Sequence, residues 1–414
     1  MGEKIYGLLG RKLGHSYSVP IHRALGNEAY RLYELEPKEL ASFVRREDIG
    51  GLNVTIPYKR DVMAFCDGIA PEARAVGSVN TLVRRTDGTL YAWNTDVAGF
   101  LFMVSRAGIA LAGRKVLLFG SGGASLAVRA ACGLLGAAKV VTVSRSGPDN
   151  YGNLDRHRDA EILVNTTPLG MYPQTGALAA DPGAFPACRG VLDVIYNPRR
   201  TALLLRAEEL GLPHSDGLPM LVAQAKAAEE CFFDHPIDDA ENKRILMTLR
   251  RETQNIVLIG MPGSGKSAVG AALVQLTGRE TMDIDAEVEK RAGCSITELF
   301  AKEGEAAFRD LEREETDKAG RRSGMIIVTG GGVVKDERNY AALHQNGRIY
   351  QLTRDVGLLP REGRPLSQGA DLTALYRERE PLYARFRDAS IENGGPVEET
   401  AAAVWRDFCE NCGD

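Results

Sequence analysis

Gly260-Met261-Pro262-Gly263-Ser264-Gly265-Lys266-Ser267 follows the apolar run Asn255-Ile256-Val257-Leu258-Ile259 and leads into Ala268-Val269-Gly270-Ala271-Ala272-Leu273. Strand, glycine loop, helix is the setting a phosphate-binding loop requires, and the match to G-x-x-x-x-G-K-[ST] is complete. Glycines let backbone N–H groups wrap phosphate oxygens, and the helix N-terminus adds partial positive charge. Gly260 to Ser267 therefore form a candidate ATP site. Lys266 reaches toward the β- and γ-phosphates, and the Ser267 hydroxyl is a candidate Mg²⁺ ligand. The loop begins more than halfway along the chain, so the residues before it need their own explanation.

The chain has 414 residues, enough for two or three domains. Its 44% hydrophobic and 26% charged content is that of a soluble globular protein. The net charge of −4, with no lysine- or arginine-dense face, argues against nucleic acid as a partner. No apolar run is long enough to span a bilayer, and the first residues lack a signal-peptide core. Met1-Gly2 matches the start of a myristoylation signal, but Tyr6 stands where Ser or Thr is needed. The 7 cysteines are scattered. The Cys409-x-x-Cys412 pair has neither the second ligand pair of a zinc site nor a thioredoxin-like setting, so it reads as a frayed tail. The expected location is the reducing cytoplasm.

Working back toward the N-terminus, strands are expected at Lys4–Leu9, Tyr30–Leu35 and Gly51–Ile56, with a helix starting at Ser18. Arg114 to Phe119 reads as a buried strand running into Gly120-Ser121-Gly122-Gly123-Ala124-Ser125, then an alanine- and leucine-rich helix, then a strand to Ser144. This is a βαβ unit with a dinucleotide-type turn, whose third glycine position holds the small Ser125. An NAD site carries Asp or Glu after the second strand. Here Ser144-Arg145-Ser146 stand there, and Arg145 suits the 2′-phosphate of NADP. Further strands are expected at Ile162–Asn165 and Val191–Ile195, and a helix at Gly217–Phe233. The polar stretch near Asp234–Gln254 reads as a linker.

Six further segments, with this turn, resemble shikimate dehydrogenase over about residues 4 to 233. They are Gly14-His15-Ser16-Tyr17-Ser18, Asn53-Val54-Thr55-Ile56-Pro57-Tyr58-Lys59, Gly77-Ser78-Val79-Asn80-Thr81, Asn94-Thr95-Asp96-Val97-Ala98-Gly99-Phe100, Asn165-Thr166-Thr167-Pro168-Leu169-Gly170-Met171 and Gly217-Leu218-Pro219-Met220-Leu221-Val222-Ala223-Gln224. The resemblance implies that Lys59 and Asp96 handle the proton while hydride passes between NADPH and a ring ketone. Ser16, Ser18, Thr55, Lys59, Asn80, Asp96 and Gln224 would hold the polyol acid, since hydroxyls and amides suit its many hydrogen bonds. Gly120, Gly122, Gly123, Ala124, Ser144, Arg145, Ser146, Thr166, Ile195, Tyr196 and Met220 would hold NADP. Taken alone, Lys59 reads as a solvated lysine and Asp96 as a helix N-cap. The chain departs from the family at Lys12-Leu13, at Pro20 and at Ala225-Lys226-Ala227-Ala228 after Gln224. These departures bear on the choice of quinate or shikimate.

Downstream of the phosphate loop stand Met282-Asp283-Ile284-Asp285, Phe308-Arg309-Asp310-Leu311-Glu312, Thr329-Gly330-Gly331-Gly332, Gly363-Arg364-Pro365-Leu366 and Arg379-Glu380-Pro381-Leu382-Tyr383. Read as the end of a strand, Asp283 and Asp285 face the same way. The set resembles shikimate kinase over about residues 255 to 390. It implies Asp283 with Ser267 on the magnesium side, Asp285 as base and hydroxyl ligand, and Arg309 and Arg379 on the substrate carboxylate. It further implies Glu312 orienting Arg309, Gly331 and Gly332 lining the acceptor site, and Arg364 meeting the transferring phosphoryl and ATP.

The expected fold class is α/β. Residues 1–236 form a dehydrogenase, with a substrate domain at about 1–97 plus 217–236 and a Rossmann-type NADP domain at about 98–216. A linker follows at 237–253, then a P-loop kinase domain of nucleoside-monophosphate-kinase type with a parallel sheet at 254–414. The expected reactions are NADPH-dependent reduction of 3-dehydroshikimate to shikimate, then phosphorylation with ATP and Mg²⁺ to shikimate 3-phosphate. One alternative is a front half that is a quinate/shikimate dehydrogenase using NAD. Another is a non-catalytic shikimate-responsive regulator, which predicts lost catalytic groups and an added DNA-binding segment; neither is seen. The sequence carries no reading of oligomeric state.

Overall fold

The computed structural model describes residues 4–14, 16–358 and 372–412. Two compact units divide the chain, Met1–Leu246 and Met247–Asp414.

The first unit begins with β1 (Ile5–Gly10), α1 (Ser18–Ala24), β2 (Tyr30–Glu34), α2 (Pro37–Val44), β3 (Ile49–Val54), β4 (Gly68–Ile69), α3 (Pro71–Val76), β5 (Thr81–Arg84), β6 (Leu90–Trp93) and α4 (Asp96–Ala107). It continues with β7 (Lys115–Phe119), α5 (Gly123–Leu134), β8 (Lys139–Val143), β9 (Ile162–Asn165), β10 (Gly190–Asp193), α6 (Ala202–Glu209), β11 (His214–Ser215) and α7 (Leu218–Phe233). Six strands form a mixed sheet, β2-β1-β3-β5-β6-β4, in which β3 and β6 flank β5 antiparallel. Five form a parallel sheet, β11-β10-β9-β7-β8.

The run Lys115-Val116-Leu117-Leu118-Phe119 shows why the second sheet is covered on both faces. Val116 and Leu118 enter one apolar cluster with Val128 of α5, while Leu117 and Phe119 enter another with Leu203 of α6. A strand apolar at every position cannot leave a face to water, so helices must cover both. Chain order reverses between β7 and β9, which opens a crevice at their carboxyl ends.

Helix α7 returns to the first sheet. Ala228 and Phe232 join Leu8, Tyr30 and Val83 in one cluster, and a Cβ on Gly51 would lie 2.2 Å from the Phe232 ring. Gly99 of α4 lets the same helix come close, since a Cβ there would stand 2.5 Å from the Met220 carbonyl oxygen. Strand β3 stops at Val54, and Ile56, read from sequence as the end of that strand, is 75% exposed.

Helix α8 (Ala240–Thr253) occupies the stretch read as a linker, and the division between units falls inside it. The second unit contains β12 (Asn255–Ile259), α9 (Lys266–Thr277), β13 (Thr281–Asp283), α10 (Ile284–Ala292), α11 (Ile296–Gly320), β14 (Ile326–Val328), α12 (Arg338–His344), β15 (Gly347–Thr353), α13 (Leu372–Phe386), β16 (Ala389–Glu392) and α14 (Val397–Asn411). Its five strands are all parallel in the order β13-β14-β12-β15-β16. Strand β12 again divides its side chains, Val257 and Ile259 to one cluster, Ile256 and Leu258 to the other. Phe408 of α14 and Cys412, which caps that helix, are fully buried in that second cluster, so the tail expected to fray is packed through Cys412. An amphipathic last helix buries enough apolar surface to hold the end of the chain down. Among the described residues no helix is long and apolar enough to cross a membrane.

Candidate active sites

In the first unit Lys59 and Asp96 meet, with Lys59 Nζ 2.5 Å from Asp96 Oδ2 and both side chains nearly buried. Asp96 is the first residue of α4, where the helix N-terminus favours a carboxylate. Its other oxygen accepts from the Asn80 amide at 2.8 Å, and the same amide lies 3.5 Å from Gln224 Oε1. The Asn80 orientation is set by its own oxygen, which accepts from the Thr95 backbone N–H at 2.7 Å and the Thr81 hydroxyl at 3.1 Å. A desolvated ammonium held by a carboxylate can polarise a carbonyl and donate a proton to the alkoxide that forms.

The glycine turn lies against this pair. A Cβ on Gly123 would stand 3.1 Å from Lys59 Cδ. Gly120 has φ +112°, and a Cβ there would sit 2.7 Å from Thr166 Oγ1, so the turn is shaped for backbone alone. The Thr166 hydroxyl donates to the Phe119 carbonyl at 2.6 Å, bridging the carboxyl ends of β7 and β9. Gly122 caps α5, and Arg145 and Ser146 are exposed just past β8.

The second unit holds a cavity of about 530 Å³ lined by the phosphate loop and by Asp283, Asp285, Arg309, Glu312, Gly330 to Gly332 and Arg379. Gly260, Gly263 and Gly265 all have positive φ, the region glycine enters without strain. Lys266 Nζ donates to the Gly260 and Met261 carbonyls at 2.9 and 3.1 Å. The Ser267 hydroxyl is 3.2 Å from Asp283 Oδ2. This pair of hard oxygens fits Mg²⁺, which takes few protein ligands and completes its shell with water and phosphate.

Asp283 ends β13 and caps α10, its side chain accepting from the N–H groups of Asp285 and Ala286. Asp285 therefore lies in the first turn of a helix, and the strand geometry expected for the two aspartates is incorrect. The cap wins because an aspartate before a helix satisfies orphan N–H groups. Asp285 Oδ1 is buried and has no hydrogen-bond partner among the described residues. Burial, with Asp283 beside it, pushes the pKa of Asp285 up to about 6 against the pull of Lys266 and Arg309. Arg309 pairs with Glu312 at 2.6 Å, and a Cβ on Gly332 would collide with its guanidinium. Arg379 and Tyr383 both donate to the Gly331 carbonyl, at 3.0 and 2.6 Å.

Two family models match: the shikimate dehydrogenase substrate binding domain over residues 8–82, and shikimate kinase over residues 262–409. A shikimate dehydrogenase (NADP(+)) of Clostridium perfringens is 34% identical over 268 residues, covering 60% of this chain and 98% of that protein. The chain joins a member of the shikimate dehydrogenase family to a shikimate kinase domain. Among solved structures, the chorismate mutase/shikimate 5-dehydrogenase fusion of Clostridium acetobutylicum is 36% identical with a TM-score of 0.56, covering 59% of this chain and 96% of that one. Quinate dehydrogenase of Corynebacterium glutamicum, in complex with NAD, is 26% identical with a TM-score of 0.54, covering 60% and 99%.

The shikimate dehydrogenase unit gathers Lys59, Asn80, Asp96 and Gln224 into one hydrogen-bonded group. Ser16 and Ser18 bond to each other at 3.1 Å, and the Tyr17 ring between them packs tilted against Tyr196 with centroids 5.3 Å apart. No hydrogen bond ties Ser16, Ser18 or Thr55 to the lysine pair among the described residues. Ile195 and Met220 are buried, and Met220 packs in the apolar cluster of the nucleotide sheet. Lys226, expected near the substrate because it follows Gln224, instead pairs with Glu230 and Asp239, each at 2.9 Å. Two residues along a helix is a rotation of about 200°, so it faces away from Gln224.

In the shikimate kinase unit Arg364 lies outside the described residues. Sequence reasoning missed Asn393, whose amide donates to the Ser264 carbonyl at 2.7 Å and fills the space beside Gly265. It also missed Tyr383 as a second donor to Gly331. Asn393 belongs to no spacing pattern that marks it, and Tyr383, though it closes the Arg379-Glu380-Pro381-Leu382-Tyr383 motif, is not marked there as a donor.

Proposed function

We propose that the first unit reduces the ring ketone of 3-dehydroshikimate to shikimate, and that the second phosphorylates the hydroxyl so made to give shikimate 3-phosphate. The observation that carries the first reading is the buried Lys59–Asp96 pair lying against the dinucleotide turn. Lys59 Nζ polarises the ketone oxygen and gives it a proton, while Asp96 holds the ammonium and a substrate hydroxyl. Asn80 and Gln224 accept and donate around the ring. NADPH, held by the turn at Gly120–Ala124, by Thr166 and Ile195–Tyr196, and at its 2′-phosphate by Arg145, supplies the hydride when bound. Arg145, just past β8, favours NADP over NAD, as does the NADP(+) specificity of the Clostridium perfringens relative.

In the second unit Asp285 Oδ1 takes the hydroxyl proton, a role suited to a carboxylate whose pKa burial has raised to about 6. Arg309, held by Glu312, and Arg379 clamp the substrate carboxylate as planar donors. The phosphate loop and Lys266 hold ATP. Mg²⁺, placed by Ser267 and Asp283, screens phosphate charge when bound. A coupled assay tests both readings: 3-dehydroshikimate, NADPH, ATP and Mg²⁺ are supplied, and NADPH loss and ADP release are followed. The expected result is equal amounts of both. NADPH loss without ADP would sink the kinase assignment, and no NADPH loss would sink the dehydrogenase assignment.

The quinate dehydrogenase relative, in complex with NAD, gives one competing reading of the first unit. Replacing the substrate by quinate and NAD in the reverse direction separates the two. Turnover faster than with shikimate and NADP would favour the competitor.

A further inference from the structure

Asp193 is the last residue of β10 and is fully buried. Its Oδ1 accepts from the Ile195 N–H and from the Asn165 amide, both at 3.0 Å. Its Oδ2 accepts from the Thr201 hydroxyl at 2.7 Å. Each donor belongs to a different segment. Asn165 ends β9, and its own oxygen accepts from the Thr167 N–H at 3.0 Å and the Thr167 hydroxyl at 2.7 Å, fixing the turn that carries Thr166. Ile195 opens the segment after β10, and its carbonyl accepts from the Gly217 N–H at 2.8 Å at the start of α7. Thr201 caps α6 by accepting from the Leu204 N–H. Gly217 has no slack, since a Cβ there would lie 2.0 Å from the Val194 carbonyl oxygen.

We propose that Asp193 is a positioning residue of the cofactor pocket: through one buried carboxylate it sets the two strand-end segments, Thr166–Thr167 and Ile195–Tyr196, that face the nicotinamide end of NADPH. The inference rests on the dehydrogenase reading given above. Three donors converge on this carboxylate. An apolar side chain would leave the Ile195 N–H and the Thr201 hydroxyl without this acceptor, and the Asn165 amide with only the Leu169 carbonyl at 3.2 Å. Burial pushes the pKa of Asp193 up to about 7 even with these donors present, and the nearby Asp216 adds to the rise. A carboxylate is thus an expensive way to fill the space, and its three-way geometry is what a neutral apolar residue cannot supply. Among the described residues no hydrogen bond joins Asp193 to Lys59 or Asp96, so the two sets can be perturbed separately.

The test is titration of the full chain with NADP⁺ and, separately, the apparent affinity for shikimate in its NADP⁺-dependent oxidation, which reads the first unit alone. Asp193→Ala is expected to weaken NADP⁺ binding by about tenfold or more, the scale of one or two lost buried hydrogen bonds, and to leave shikimate affinity within about twofold. Asp193→Asn keeps the shape: its oxygen can accept from Ile195 and Asn165, and its amide can donate to the Thr201 oxygen. It should restore NADP⁺ affinity to within about threefold of the parent. Should the alanine variant fail to fold, Thr201→Val, which removes the Oδ2 donor together with the α6 cap to Leu204, decides the matter with an expected loss of about threefold to tenfold for NADP⁺ and none for shikimate. Unchanged NADP⁺ affinity in the folded Asp193→Ala or Thr201→Val protein would overturn the proposal. So would equal losses for NADP⁺ and shikimate, which would mark a general structural defect. A parent protein that does not bind NADP⁺ would instead defeat the dehydrogenase reading beneath it.

Discussion

The two sites are made from the same parts. Each has a strand buried on both faces, a glycine turn at its carboxyl end, a lysine and an aspartate at a helix start. In the first unit the lysine and aspartate are partners, and Asn80 completes the group. In the second the lysine bonds to two loop carbonyls, and Asp285 keeps a buried oxygen without a partner among the described residues. The pairing decides the chemistry. A lysine held by a carboxylate is oriented to give a proton to a developing alkoxide. A carboxylate left without a direct cation in a dry wall has a raised pKa and can take one. The carboxylate–cation pair on the second site's wall, Glu312 with Arg309, instead fixes a guanidinium for binding.

The largest expected effect follows from that contrast. Lys59→Ala removes the proton donor and should lower kcat for ketone reduction by about 10²–10⁴-fold, with phosphorylation of added shikimate unchanged. Assaying both reactions on one preparation checks it. Comparable loss of both would mean that the pair is a structural support for the whole chain.

The next effect sharpens the role of Asp285. A base must be ionised, so phosphorylation should fall by about tenfold for each pH unit below about 6, the value to which burial has raised it. Above that pH the Asp285 contribution should be level. Asp285→Asn should abolish the acid limb along with most of the rate. If the parent's limb sits near the ordinary carboxylate range, Asp285 is not the titrating base.

Arg145→Ala comes third. The ratio of kcat/KM for NADPH over NADH should fall by about 10–100-fold, since a charge-assisted contact to phosphate is lost while the rest of the site remains. An unaltered ratio would place the 2′-phosphate contact elsewhere. The smallest effect is expected at Lys226. Its partner Asp239 is exposed, and such pairs contribute little. Lys226→Ala should change KM for shikimate and for quinate by about twofold or less. A larger change in their ratio would return this residue to the substrate site.

Much of the architecture was legible because it rests on local patterns. The runs at Arg114–Phe119 and Asn255–Ile259 read as strands that lead into glycine turns, and strands lie at Lys115–Phe119 and Asn255–Ile259. Lys59, Asp96, Asn80 and Gln224 lie far apart in the chain but were found through their motifs, and the structure brings them together. What was misread depended on tertiary context. Asp285 was placed on a strand because the two-residue spacing ignores that Asp283 ends the strand by capping the next helix. The segment after Asp234 looked like a polar linker because α8 carries a charged face. The CxxC tail looked frayed because its cysteines were weighed without the apolar face of α14. Asn393 and Asp193 carry no sequence signal, since they act through a single carbonyl and a convergence of donors that only the fold assembles; Tyr383 closes a quoted motif, but its bond to Gly331 is likewise made only by the fold.

The central claim is that one chain carries two complete and chemically separate sites. Lys59→Ala and Lys266→Ala proteins, assayed alone and mixed with 3-dehydroshikimate, NADPH, ATP and Mg²⁺, test it most directly. Alone, the Lys266→Ala protein should oxidise NADPH without releasing ADP, and the Lys59→Ala protein should oxidise no NADPH and release ADP only when shikimate is added. The mixture should carry the full sequence to shikimate 3-phosphate. If either substitution silences both reactions, or if the mixture stops at shikimate, the account of two independent sites is contradicted.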